Sequence, residues 1–321
     1  MTAIIVLNWN GADDTVCCLS SLLNAEGDFT IVVADNGSTD DSVGQICRWC
    51  EDSNVKYDVF DENRTLTGTE KVNILKLKEN YGFAKGNNKA IAFARAVNPD
   101  SYLLLNNDTE VSPDFLTKLS EFSGKHPEYR VLTPKICYCD DKERVWNCGG
   151  KLLMAGRRYY YADKKECEIK EKESIRISFV TGCALFFYPE LLDDNGRVFT
   201  ERFFFGEEDY EFSIRMKRED TPMACVLDSK IYHKVSATAD KMNSLGKLHV
   251  HYLNRTIDIR LNSSPAFFSL WKLMNLPIMT RYFYRESKSL NTTVSVIRDI
   301  YKEAGKADGV SKERFLELVK Q

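Results

Sequence analysis

The sequence has no apolar run long enough to cross a membrane, which takes about 18 to 20 consecutive apolar residues. The longest candidate, residues 265–284, is interrupted by Lys272, Asn275, Pro277 and Arg281. The N-terminal apolar segment is short and has no basic region before it, so we expect no signal peptide. Both absences favour a cytoplasmic protein whose membrane contact, if it has one, is peripheral at the inner face.

A strong excess of charge of one sign is also missing. The formal net charge is −3 over 321 residues, and nothing in this balance points to nucleic acid as a partner. Hydrophobic residues make up 43% and charged residues 28%, which excludes a disordered chain, a fibre and a coiled coil. Without an export signal, the ten cysteines are expected to be reduced and mostly buried.

Several motifs of common enzyme classes are absent. No G-x-G-x-x-G follows the first apolar segment and no G-x-x-x-x-G-K-[ST] occurs, which argues against a dinucleotide dehydrogenase and a P-loop ATPase. The four histidines do not form H-E-x-x-H, and no G-x-S-x-G is present. Zinc proteases and α/β-hydrolases are therefore disfavoured.

What the first 120 residues do contain is an alternation of strands and helices. Short apolar runs predict strands, and apolar residues at helical spacing between them predict helices. The predicted strands are Ala3–Leu7, Phe29–Ala34, Ile74–Leu77 and Ser101–Leu105, and the helices are Asp13–Asn24, one from Asp41, Ala84–Val97 and one capped by Ser112 with Pro113 at its first position. This pattern predicts an α/β fold with a mostly parallel sheet covered on both faces.

The rest of the chain has a different pattern. Residues 54–72 are expected to form a polar, exposed excursion, and residues 131–187 to form shorter strands. A helix is predicted over Glu208–Arg218, a strand over Met223–Leu227, and helices over the last 75 residues.

Carboxylates stand where the predicted strands end. Asp35 follows the second strand and Asp108 the fourth, while residues 207–211 contribute Glu207, Glu208, Asp209 and Glu211. In parallel sheets, ligands bind beyond the carboxyl ends of the strands. A carboxylate there can hold a hard divalent cation that clamps a diphosphate, and a second can act as a general base. His233 follows the Met223–Leu227 strand and could complete a metal shell.

Four groups of motifs carry a resemblance to a known family. They are IIVLNWNG at 4–11, VVADNGSTDDS at 32–42, ENYGFAKGNNKAI at 79–91 with LLLNNDTEVSPDFL at 103–116, and VTGCALFF at 180–187 with FFFGEEDYEFSIRMKRE at 203–219 and IYHKVSAT at 231–238. In this order they resemble family-2 glycosyltransferases of the GT-A fold, especially the bacterial rhamnosyltransferase-like branch. Residues 251–255, HYLNR, add a weaker match.

The resemblance implies a nucleotide-sugar donor, linked through dTDP, UDP or GDP, and a Rossmann-like sheet that binds it. Asp35 corresponds to the acidic residue that contacts the base or ribose. The residues implied to surround the donor are Leu7, Asn8, Asn10, Asp35, Asn36, Ser38, Asn80, Gly82, Phe83, Ala84, Asn87, Asn107 and Gly182. Asn36 and Asn107 begin N-x-[ST] sequons, and glycans there would block the site, which again fits a cytoplasmic protein.

The resemblance also implies Mn²⁺ or Mg²⁺ held by Asp108 and His233. The D-x-D position reads Asn106-Asn107-Asp108, so only its last residue is acidic. Imidazole is a borderline ligand and fits Mn²⁺ somewhat better than Mg²⁺. Asp209 of the Glu208-Asp209 pair is the implied base, in a single displacement that inverts the anomeric centre.

The expected organisation is a GT-A catalytic domain over residues 1–240, with a nucleotide-sugar half to about residue 110 and an acceptor half from about 111. A C-terminal helical region over 241–321 follows. The expected acceptor is a glycan or lipid-linked glycan in surface polysaccharide synthesis. Two alternatives remain open: a nucleotidyltransferase, and a non-catalytic module that binds nucleotide sugars or glycans. The aromatic and basic C-terminal region is compatible with peripheral membrane contact, with packing on the catalytic domain or with a homodimer.

Overall fold

The structure is a computed structural model that describes residues 1–67, 70–154, 156–235 and 244–320. The predicted boundary at 240/241 lies outside these residues, as do residues 236–238 of the IYHKVSAT motif. The strands are β1 (Thr2–Asn8), β2 (Phe29–Asp35), β3 (Tyr57–Asp61), β4 (Val72–Lys76), β5 (Ser101–Asn106), β6 (Thr109–Val111), β7 (Val131–Tyr138), β8 (Val145–Asn147), β9 (Gly150–Leu153), β10 (Gly156–Tyr159), β11 (Ser174–Ile177), β12 (Ala184–Phe187) and β13 (Met223–His233). The helices are α1 (Ala12–Leu23), α2 (Ser42–Asp52), α3 (Gly82–Ala94), α4 (Phe115–Lys125), α5 (Glu208–Arg218), α6 (Ser244–Asn262), α7 (Pro265–Ser287), α8 (Leu290–Ala304) and α9 (Lys312–Lys320).

The central sheet is mixed and mostly parallel, which confirms the predicted fold class. Its order is β11-β13-β7-β12-β5-β1-β2-β4-β3, and the strands from β5 through β3 run parallel. The antiparallel strand β12 joins β5 to β7 and so connects the two halves of the sheet. β9 and β10 form a separate hairpin.

The continuous apolar strands are buried on both faces, as expected for a sheet covered by helices. Ile4 and Ile5 of β1 are fully buried and belong to two different core clusters, one on each side of the sheet. Leu103 and Leu104 of β5 divide in the same way. Alternate side chains of a strand point to opposite faces, so a strand with no polar position needs cover on both.

Three predictions were wrong in detail. The strand predicted over Met223–Leu227 continues as β13 to His233, which is its last residue and does not follow it. Residues 57–61 form the edge strand β3, paired in parallel with β4, where the sequence analysis expected only an excursion. Its two aspartates and its partial exposure suit an edge strand. The helix predicted from Pro113 begins at Phe115, because the Ser112 hydroxyl donates a hydrogen bond to the Lys230 carbonyl (2.8 Å) instead of capping the helix.

The helices α6 to α9 pack around a core of their own, which also takes in Phe203 from the segment before α5. All ten cysteines are free, as expected, and six of them are buried. Among the described residues, no helix combines the length and the apolar character needed to cross a membrane.

Candidate active site

The carboxyl ends of β1 and β2 are joined by their own side chains. Asn8 Nδ2 donates to Asp35 Oδ1 at 2.7 Å, and Ser38 donates to Asp35 through its hydroxyl (2.5 Å) and its backbone N–H (3.1 Å). Asn8 Oδ1 in turn accepts a hydrogen bond from Thr15 of α1 at 2.8 Å. The parallel register places Asn8 opposite Asp35, so these contacts follow from the neighbouring strands. Asn8 and Asp35 are both buried.

The loop after β1 is tied to the loop after β2. Asn10 has a left-handed φ of 51°, its backbone N–H donates to Ser38 Oγ (2.9 Å), and its Oδ1 accepts from the Thr39 backbone (2.8 Å). Between Asn8 and Asn10, the Trp9 ring is 46% exposed. Trp9 was not among the site residues predicted from the sequence, although an aromatic residue directly after a predicted strand could have indicated a ligand contact.

Asn36 ties the second strand end to the start of α3. Its Nδ2 donates to Asn80 Oδ1 (3.1 Å) and to the Gly82 carbonyl (3.0 Å), and its Oδ1 accepts from the Tyr81 backbone (3.0 Å). Gly82 has φ +80°, and a Cβ there would lie 1.9 Å from the Phe204 carbonyl oxygen. Glycine is therefore required at residue 82, where α3 meets the segment that precedes α5.

The remaining predicted donor residues pack more deeply. A Cβ on Gly182 would lie 3.1 Å from the Phe83 ring, so these two are in contact. Ala84 is fully buried in the core, and Asn87 is buried with its Nδ2 donating to the Phe83 carbonyl (2.9 Å). Leu7 is partly buried and packs against the same core. The side chains of Ala84 and Asn87 therefore support α3 rather than face the cleft.

Asp108 and His233 are adjacent. His233 Nε2 lies 3.0 Å from Asp108 Oδ1, because β13 pairs with β6, the strand that follows Asp108. Asn107, by contrast, turns its amide to the Gly11 carbonyl (3.3 Å) and the Thr15 hydroxyl (3.1 Å). Burial lowers the pKa of His233, but Cys183 and the Asp108 carboxylate outweigh it and raise that pKa to about 10.

Asp108 and His233 could supply two of the ligands of a divalent cation, which needs more than two. Oδ1 of Asp108 is buried and, apart from its contact with His233, has no hydrogen-bond partner among the described residues. A carboxylate oxygen and an imidazole nitrogen are suitable ligands for Mn²⁺. No group of three or more Asp, Glu, His or Cys side chains in the described part of the chain is arranged to hold a metal. Further ligands would have to come from a bound diphosphate or from water.

Glu207 is the centre of an ion-pair network next to Glu208 and Asp209. It has φ +73° just before α5, and its carboxylate is buried. Nε and Nη2 of Arg255 both contact its Oε2, while His251 Nδ1 (2.8 Å) and Arg157 Nη1 (3.6 Å) lie near its Oε1. Burial alone would raise the pKa of Glu207, but Arg255, His251 and Arg157 hold it well below its usual range.

The next two residues have different environments. Glu208 is buried, and its Oε1 accepts a hydrogen bond from the Gly206 backbone (2.8 Å). Burial and the neighbouring Asp209 and Glu207 raise the pKa of Glu208 to about 8, so it is largely protonated at neutral pH. Asp209 is partly exposed. Burial and Glu207 raise the pKa of Asp209, while Arg157 and the Gly182 backbone N–H lower it.

The segment 181–183 lies between Asp209 and the Asp108–His233 pair. The Gly182 backbone N–H lies near the Asp209 carboxylate and lowers its pKa, and the next residue, Cys183, lies beside His233. The Cys183 carbonyl accepts from the Asn106 backbone (2.9 Å), which fixes this segment against the end of β5. Asp209, Asp108 and His233 therefore border one region, although they come from three elements.

Three basic residues around Glu207 were not predicted from the sequence. Arg255 and His251 lie in the HYLNR segment, whose weak motif match was the signal that could have found them. Arg157 lies in the hairpin strand β10, within a stretch that has no motif. Its side chain packs over Phe179, with the guanidinium carbon 4.9 Å from the ring centroid, and reaches Glu207 from the hairpin.

The comparisons with known proteins agree with this architecture. The family model for Glycosyl transferase family 2 matches residues 3–192, more than half of the chain. The protein belongs to glycosyltransferase family 2.

Two solved structures show the same fold over nearly the whole chain. Residues 1–349 of S. aureus TarS align with a TM-score of 0.57 and 16% identity, covering 99% of this chain and 83% of that one. The mannosyltransferase PcManGT from Pyrobaculum calidifontis, solved with GDP-Man and Mn²⁺, aligns with a TM-score of 0.55 and 15% identity, covering 99% and 78%. The comparison with curated proteins gave no match.

Proposed function

We propose that this glycosyltransferase moves a sugar from a nucleoside-diphosphate donor to a hydroxyl of a glycan or lipid-linked glycan, with inversion. The observation that carries the proposal is the connection of Asp209 to the Asp108–His233 pair through Gly182 and Cys183. A general base on one side of the reacting carbon and a charge-stabilised leaving group on the other are what a single displacement requires.

Asp209 acts as the base and takes the proton from the acceptor hydroxyl while that oxygen attacks the anomeric carbon. Its partial exposure gives an acceptor access, whereas Glu208 is buried and bound to the Gly206 backbone. The raised pKa of Glu208 keeps it mostly neutral, so it does not compete for the proton. Arg157 stabilises the ionised form of Asp209.

Asp108 and His233 would hold Mn²⁺ or Mg²⁺ together with the donor diphosphate. A bound cation supplies positive charge that stabilises the departing diphosphate. PcManGT was solved with both GDP-Man and Mn²⁺, which supports a metal and a nucleotide sugar in this fold. Asp35, fixed by Asn8 and Ser38, is proposed to receive the ribose or base. Rhamnose as the donor sugar, a role in surface polysaccharide synthesis and a cytoplasmic location stay predictions.

Donor hydrolysis tests the proposal. The protein is incubated with dTDP-, UDP- and GDP-sugars, with and without Mn²⁺, and the released nucleotide is identified. We expect a nucleoside diphosphate from one donor, released faster with Mn²⁺. For Asp209→Asn we expect acceptor-dependent turnover lowered by about 10²–10⁴-fold, the usual contribution of a general base. Asp52→Asn, at the exposed end of α2, is the matched control.

The products also separate the alternatives. Release of pyrophosphate from a nucleoside triphosphate would identify a nucleotidyltransferase and contradict the proposal. Donor binding without turnover over every acceptor tried would favour the non-catalytic module. Unchanged turnover in Asp209→Asn would remove Asp209 as the base.

A further inference from the structure

The outward face of α7 is apolar over most of its length. The opposite face is buried through Trp271, Met279 and Phe283, so the helix packs on one side only. The large side chains that α7 exposes are Phe267, Leu270, Leu273, Met274, Leu276, Ile278, Tyr282 and Tyr284. Leu270, Leu273 and Tyr284 lie opposite the buried face. Leu273 is 69% exposed, the highest value among them. Contiguous exposed apolar surface of this kind marks an interaction site more often than a free surface.

A second element extends the same surface. Leu153 and Met154, at the end of β9, are 42% and 39% exposed. With Phe267 of α7 they line a cavity of about 490 Å³ between the β9–β10 hairpin, α5 and the junction of α6 with α7. Two elements distant in the sequence therefore present apolar side chains around one cavity.

The two segments that supply these apolar side chains carry charges of one sign. Residues 259–285 contain no Asp or Glu, and neither do residues 145–162. The hairpin carries exposed Lys151 and Arg158, and Arg281 is exposed on α7. Lys217 lines the cavity. The first acidic residue of α7, Glu286, is already paired with Arg285 at 3.0 Å. Apolar side chains surrounded by basic residues match a lipid bilayer, in which hydrocarbon lies beneath anionic headgroups.

We propose that the outward face of α7, together with Leu153 and Met154 at the end of β9, docks on an anionic lipid bilayer. The β9–β10 hairpin also carries Arg157, paired in register with Leu152, and Arg157 reaches Glu207 beside Asp209. Docking therefore brings Asp209, where the proposed acceptor binds, close to the bilayer. This orientation rests on the proposed function and specifies a lipid-linked acceptor presented from the membrane.

Vesicle flotation of the full chain tests the docking. We expect the protein to float with vesicles of phosphatidylcholine mixed with phosphatidylglycerol, and less with phosphatidylcholine alone. Leu273→Glu and Leu153→Glu place a carboxylate in the apolar surface, and we expect each to weaken binding by about tenfold or more. Val59→Glu adds the same charge at an exposed apolar residue of the edge strand β3, and it should float like the unmodified protein.

Three results would overturn the docking proposal: no flotation of the unmodified protein, equal flotation of Leu273→Glu, or a homodimer in light scattering that Leu273→Glu dissociates without any flotation. The last result would assign the face to a second copy of the chain. Donor hydrolysis without vesicles is measured on the same samples. Absence of hydrolysis in the unmodified protein would contradict the proposed function, while flotation would still decide the docking.

Discussion

His233 Nε2 and Asp108 Oδ1 lie 3.0 Å apart, although the two residues are far apart in the sequence. In the proposed function a cation replaces this direct contact, and the His233 imidazole releases its proton to coordinate it. Asp108→Asn keeps the size of the side chain and removes its charge. We expect half-maximal activity of this variant to require about tenfold or more Mn²⁺ than that of the unmodified protein. Losses of metal affinity of this order are typical when residues of a metal site are altered.

A titration of activity with Mn²⁺ measures this effect, and partial recovery at high Mn²⁺ is the expected signature. Asp114→Asn, in the loop before α4, is a control that should leave the titration unchanged. Equal Mn²⁺ dependence of Asp108→Asn and the unmodified protein would place the metal elsewhere.

The pH dependence of turnover should report the environment of Asp209. Burial and Glu207 raise the pKa of this carboxyl and Arg157 lowers it, so the base is lost as the pH falls through its raised pKa. In Arg157→Gln the lowering charge is gone, and the acid limb of kcat/KM should move to higher pH. Arg158→Gln, the exposed neighbour, should leave the limb in place. A fall in rate with no movement of the limb would assign Arg157 to another role.

Arg255 should be required for stability because Glu207 is buried. Removing one partner of a buried ion pair costs about 3–5 kcal/mol, and the remaining contacts of Glu207 with His251 and Arg157 compensate its charge only in part. We expect Arg255→Leu to lower the free energy of unfolding by this order, as measured by urea denaturation. The double substitution Glu207→Leu with Arg255→Leu should recover part of the loss. A single substitution that costs no more than Arg218→Leu, at an exposed arginine, would contradict this account.

Gly82→Ala tests the contact between α3 and the segment before α5. The new Cβ would meet the Phe204 carbonyl oxygen at 1.9 Å in a backbone conformation with φ +80°. We expect a loss of about 2 kcal/mol or more in unfolding free energy, since both strain and overlap oppose folding. Gly124→Ala in α4 is the matched control: no atom lies within 4 Å of the position that a Cβ would take there, and helix propensity predicts a gain of about 1 kcal/mol. Similar stability of the two variants would show that residues 82 and 204 are not in close contact.

The sequence predicted the parallel half of the sheet well, because strands such as β1 and β5 have interiors of consecutive apolar residues that mark them as buried strands. The sequence predicted strands less well where a segment is a strand only because it pairs with a neighbour. The edge strand β3 is an example, since its residues form a strand through their pairing with β4. The carboxylates at strand ends could be found from the sequence, since a parallel sheet brings them to one edge. Arg157 could not, because its approach to Glu207 depends on how the β9–β10 hairpin packs over Phe179.

The ion pairs of Arg255 and His251 with Glu207 also limit which parts of this protein can be exchanged with those of a relative. Glu207 takes its two nearest partners from α6, so the first 235 residues leave it with Arg157 alone. A chimera that joins this N-terminal part to the helices of a distant relative would inherit an under-compensated buried carboxylate beside Asp209. Exchange between relatives should therefore succeed only when the Glu207 position and its two α6 partners are transferred as a set.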